Sequence, residues 1–129
     1  MENKQRYFLK KEDRLKSRKE IDTLFKKGKS LSVYPVKLVW MPAEDGIRAG
    51  FTVSSRFFKK ATDRNRLKRL MRESWRLQKH QLNVEKNLQL QGISLFLVYI
   101  GKDVCEYSLI SEKISELIKR LIKLTHEKA

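Results

Sequence analysis

Between Lys60 and Lys79 cationic side chains recur at helical spacing. They are Arg64, Arg66, Lys68, Arg69, Arg72 and Arg76, with Asn65 among them and only Asp63 and Glu73 as acids within the run. Each guanidinium offers a planar fork of donors that matches paired phosphate oxygens, and an amide can both give and accept hydrogen bonds. The chemistry open to this set is recognition of a polyanion rather than bond cleavage. Like charges at i,i+4 cost a helix a few tenths of a kcal/mol per pair. A phosphate backbone removes that repulsion and releases counterions. Asp63 suits the positive helix start, and Glu73 is spaced to reach Arg69 or Arg76. Neither neutralises the run.

Such a strip needs a helix anchored by its opposite face. Advancing about 100° per residue from Arg64 puts Leu67, Leu70, Met71 and Leu77 between about 220° and 340°, with Ser74 among them. Lys68, Lys79, Arg72, Asn65, Arg76 and Arg69 fall between about 40° and 140°. Trp75 borders the apolar arc and reads as a core-edge residue. A solvated helix face is the rival explanation. The lack of an acid inside the cationic arc, and Lys59-Lys60 upstream, favour nucleic acid.

The whole chain supports this. Its 129 residues carry thirty Lys+Arg against fifteen Asp+Glu, a net charge of +15. Self-repulsion of that size points to a polyanionic partner, nucleic acid first and an acidic membrane surface second. No catalytic or metal-binding constellation emerges. His80 and His126 are isolated, Cys105 is the lone cysteine, and there is no glycine-rich phosphate loop. No catalytic residue and no metal ligand is therefore expected. The N-terminal stretch lacks the apolar region of a secretory signal, and the longest apolar run, residues 95–100, is too short to span a bilayer. A cytoplasmic protein without a membrane partner is the expectation.

The elements that must hold the strip follow from pattern. Residues 1–16 read as a basic arm, and residues 17–129 as a single α/β domain. Ser17 and Glu20 form a capping box for a helix over 18–27 that Gly28 stops. Residues 36–41 are β-branched and aromatic. After the turn residues 42–46, Ile47, Ala49, Phe51 and Val53 alternate with polar or small neighbours. These two strands are expected to pair as a hairpin. Residues 93–100 are nearly all apolar, as in a strand covered on both faces. A last helix from about Ser108 aligns Ile110, Ile114, Leu117, Ile118, Leu121 and Ile122. The fold class is α+β, a two-layer α/β sandwich in the order αββαβα, with the charged helix as the crossover between the second and third strands.

These residues together resemble a known family. Arg64-Asn65-Arg66-Leu67-Lys68-Arg69, followed by Arg72-Glu73, resembles the RNR signature of the bacterial ribonuclease P protein component. Arg14-Leu15-Lys16 and Phe25-Lys26-Lys27-Gly28-Lys29-Ser30 resemble its N-terminal region, and Arg48-Ala49-Gly50-Phe51-Thr52-Val53-Ser54 its second strand. The resemblance implies a subunit of a ribonucleoprotein that removes the 5′ leader of precursor tRNA, with hydrolysis carried out by the catalytic RNA and its magnesium ions. It implies partners in that RNA and in precursor tRNA, no cofactor bound by the protein alone, and no obligate protein partner. It also implies a left-handed βαβ crossover, where the general rule would give a right-handed one. Arg64, Asn65, Arg66, Lys68, Arg69 and Arg72 match the RNA-contacting helix, which Arg76 extends. Phe25 matches an aromatic of the leader cleft. Two further cleft positions, aromatic in the family, are Ile21 and Val39 here, and a basic position after the second strand is Phe57.

Two other classes of protein share the charge. A ribosomal or other structural RNA-binding protein would leave the RNR run at this position a coincidence. A DNA-binding regulator would need two helices joined by a short turn, which the pattern lacks.

Overall fold

A computed structural model describes residues 18–44, 46–82 and 92–128. The basic arm, Ser17 of the capping box and the side chain of His126 lie outside the described residues. The elements run α1 (Arg18–Lys27), β1 (Lys29–Val33), β2 (Val36–Ala43), β3 (Gly46–Val53), α2 (Ala61–Gln78), a single 3-10 turn at Lys79–Gln81, β4 (Gly92–Tyr99) and α3 (Tyr107–Lys128). The α+β class holds, and the order gains a strand to become αβββαβα.

That extra strand, KSLSV, is short and half polar. It pairs antiparallel with β2 through a Tyr34-Pro35 turn, with Leu31 opposite Leu38 and Val33 opposite Val36. Leu31 and Val33 join the edge of the core while Ser30 and Ser32, alternating with them, are exposed. Pro35 thus occupies a turn, and Pro42 lies inside β2 beyond Trp40, the last β2 residue that β1 pairs with. There, among the described residues, β2 has a neighbour on one side only, which is where a strand tolerates proline.

The expected hairpin of β2 with β3 does not form. The sheet order is β1-β2-β4-β3, so β4 separates the two strands. Gly92 is opposite both Ala43 and Gly46, and the connection between β2 and β3 spans the start of β4. The reason is burial: Ile93, Leu95, Leu97 and Tyr99 need cover on one face and Phe96 on the other. A central position, antiparallel to β2 and parallel to β3, supplies both.

Two cores result. On one face Trp40, Ala49, Leu95, Leu97 and Tyr99 meet Leu67, Met71 and Trp75 of α2 and Ile110, Ile114 and Leu117 of α3. Helix α2 packs over β3 and β4, and α3 over β1 and β2. The apolar stripe read for α3 is the buried one, with Ile122 at its margin. On the other face α1 packs on β2, where Leu24, Val39 and Phe96 form a smaller cluster with Ile21, Met41 and Val98 around it. Gly28 closes α1 by donating its N–H to the Leu24 carbonyl, and a Cβ there would lie 2.4 Å from that oxygen. No described helix is long and apolar enough to cross a membrane.

Candidate nucleic-acid interface

Helix α2 is turned slightly from the orientation its apolar residues suggest. Leu67, Met71, Ser74 and Trp75 are its buried residues, whereas Leu77 is 38% exposed and Leu70 half-buried. Trp75 therefore lies in the core, not at its edge. The cause is α3, which packs against α2. Gln78 donates from Nε2 to Ser74 Oγ at 2.9 Å and to the Ser111 carbonyl at 3.1 Å, so polar residues belong to that contact. A wheel built on apolar identity alone does not count them.

The rotation sorts the cationic residues. Asn65, Arg66 and Arg69 are fully outward, while Arg64, Lys68, Arg72 and Arg76 flank the core side at intermediate exposure. Glu73 pairs with Arg76, its Oε1 accepting from Arg76 Nε at 3.2 Å. That hydrogen bond holds the Glu73 carboxyl below the usual carboxylate range and raises the Arg76 guanidinium. Among the described residues Arg69 has no ion pair with Glu73, so its donors face outward.

Arg64 also has a structural use. Its Nη1 donates to the Phe58 carbonyl at 2.7 Å and to the Lys59 carbonyl at 2.9 Å. These bonds tie the first turn of α2 to the segment that enters it, where the N-cap Lys60 makes no side-chain cap. The segment holds Phe58 in the core, edge-on to Tyr99 at 5.9 Å. Residue types carry no sign of this use, because the acceptors are backbone carbonyls. The other guanidinium donors of Arg64 make no described bond.

The second candidate surface lies between α1 and the sheet. Phe25 is 47% exposed and meets the ring of Phe96 edge-to-face, with centroids 5.3 Å apart and planes at 68°. Ile21 is half-buried beside it. Val39 is 4% exposed and packs beneath the helix, so it supports the cleft from below and does not line it. Trp40 faces the main core, as strand alternation requires. Phe96 is a cleft residue that sequence reading missed; its parity within β4, opposite to Leu95 and Leu97, was the available signal. Arg48 on β3 reaches Glu20 on α1 at 3.8 Å. Beside this pair a groove of about 490 Å³ is lined by Lys19, Thr23, Met41 and Ser94 among others. Beyond the end of β3, Phe57 is 40% exposed, and the cationic groups of Arg56 and Lys102 lie 5.4 and 5.9 Å from its ring centre.

Comparison with known proteins agrees with this fold. The family model described as Ribonuclease P matches residues 9–124. The ribonuclease P protein component of Porphyromonas gingivalis is 33% identical over 119 residues, covering 88% of this chain and 85% of the relative. That of Chlorobium phaeobacteroides is 34% identical over 133 residues, covering 91% of each. Among solved structures, the ribonuclease P protein from Thermotoga maritima superposes with a TM-score of 0.67 at 28% identity, covering 83% of this chain and 96% of that one. The Staphylococcus aureus protein, at 18% identity and a TM-score of 0.64, shares the fold. With the match spanning both α2 and the α1 cleft, the chain belongs to the ribonuclease P protein family.

Proposed function

We propose that this chain binds the catalytic RNA of ribonuclease P along the outward flank of α2 and the 5′ leader of precursor tRNA in the cleft between α1 and the sheet. In doing so it assists endonucleolytic removal of the leader. Family membership carries the tRNA-processing role and an RNA partner. The observation that carries the division of labour is the placement of two unlike surfaces. One is a helix face presenting Asn65, Arg66 and Arg69 with Lys68 and Arg72 behind them, suited to a phosphate backbone. The other is a cleft with an exposed aromatic, Phe25, suited to unpaired bases of variable sequence.

Hydrolysis and its magnesium ions belong to the RNA in this reading. Among the described residues no group of three or more His, Cys, Asp or Glu side chains is placed to hold a metal ion. The protein contributes affinity and orientation, acts in the cytoplasm and needs no second protein. The test is processing in vitro. RNA-free protein should leave precursor tRNA intact in magnesium. The cognate RNA plus protein should cut once, at the mature 5′ end, at lower magnesium than the RNA alone needs. Cleavage by rigorously RNA-free protein would overturn the assignment.

A further inference from the structure

Gly50 belongs to the second-strand motif, yet neither proposed RNA surface uses it. It is the parallel partner of Phe96. A Cβ built on it would lie 2.0 Å from Phe96 Cε1, 2.5 Å from Cδ1 and 2.6 Å from Cζ. The Phe96 ring therefore leans across the neighbouring strand and rests on the glycine backbone, in space that any side chain would fill. Leu24 and Val39 share its cluster, and Phe96 itself is only 8% exposed. The Phe25 ring stands against it at 68°. With no Cβ below it, Phe96 lies low enough for Phe25 to sit edge-to-face and keep nearly half its surface open.

We propose that Phe96, seated on Gly50, is the positioning residue that sets the stacking face of Phe25 and hence the hold on the leader's bases. This rests on the leader-cleft reading above. Phe96 acts through Phe25 and need not touch RNA. Close packing transmits the effect: a ring raised by a methyl group must tilt or displace its neighbour. Gly50 thus does more than spare the sheet a clash, because it keeps the floor of the cleft flat.

The measurement is the ratio of affinities of the holoenzyme for leader-bearing and mature tRNA. A ratio is insensitive to the fraction of misfolded protein, so a purely structural defect leaves it unchanged. Phe96→Leu keeps an apolar filling but removes the ring, and should lower the ratio about 5- to 30-fold, part or all of one aromatic–base stack. Gly50→Ala should lower it similarly. Combining Gly50→Ala with Phe96→Leu should cause no further fall, since the ring that the methyl displaces is gone. A ratio unchanged in Phe96→Leu while Phe25→Ala loses it would overturn the positioning role. A ratio unchanged in Phe25→Ala as well would overturn the cleft reading, and this proposal with it.

Discussion

Arg64 and Arg69 lie five residues apart on the same helix and carry the same charge, yet their replacement should have opposite effects on stability. Arg64→Ala removes two hydrogen bonds from a charged donor to the carbonyls of Phe58 and Lys59. Bonds of that kind contribute about 1.5–3 kcal/mol each when sheltered. The bond to Phe58 is partly buried and the bond to Lys59 is exposed, so the pair is worth about 2–3 kcal/mol. Relief of repulsion with Lys68 at i,i+4 returns a few tenths. The net, about 2 kcal/mol, should lower Tm by about 6–10 °C in a domain of this size. Arg69→Ala breaks no described interaction and relieves repulsion with Arg66 and Arg72, so its Tm should stay level or rise by about a degree. Arg64→Lys keeps the charge but not the planar fork, and should fall between them. Melting curves of the free protein, paired with RNA titrations at three salt concentrations, separate the two uses of arginine. Both alanine variants should bind RNA less tightly, with salt dependence shallower by about 0.7–0.9 for each phosphate no longer neutralised. If Arg64→Ala melts with the wild type, the Phe58 and Lys59 bonds do not hold the entry to α2, and Arg64 has no structural use.

Other outcomes follow from neighbouring features. Asn65→Ala should weaken RNA binding without changing the salt slope, because it removes donors and no charge; titrations in the same salt series measure it. Phe25→Ala should weaken binding of leader-bearing tRNA by about 1–3 kcal/mol and leave mature tRNA unaffected, as read by equilibrium binding to the holoenzyme. Tyr99 is pushed well above the ordinary tyrosine range, first by burial and then by its bond with Cys105. The neutral phenol is therefore favoured in the fold: its contribution is complete below the unfolded value near pH 10 and declines as pH rises beyond it. Denaturant midpoints should fall above about pH 10, and Tyr99→Phe, less stable at neutral pH, should lose that component of the fall.

The α2 run, the α3 stripe, the Gly28 stop and the RNR signature were legible because each is a local pattern of residue types. The pairing of strands was not. Residues 36–41 and 47–53 read as neighbours joined by a turn, and only the burial demand of residues 92–99 parts them. Strand β1 was hidden by its serines and by a proline that proved to be in the turn after it. In the candidate interface, residue type and spacing marked the basic face, and the family resemblance marked Phe25. The anchoring of Arg64 and the seat of Phe96 depend on backbone positions contributed by other segments, which residue spacing does not encode.

The central place of β4 has a consequence for the order in which the molecule can be made. Until residue 99 has emerged, β2 and β3 have no partner between them, and both present open edges toward the same gap. Open edges of apolar strands invite pairing with other chains. Closing this gap also joins segments far apart in sequence, the kind of pairing that slows folding. Helix α2 is synthesised before the strand that completes the sheet beneath it. The most cationic part of the chain thus leaves the ribosome ahead of its support, and a chain stopped before residue 92 carries the RNR run without a finished domain to present it.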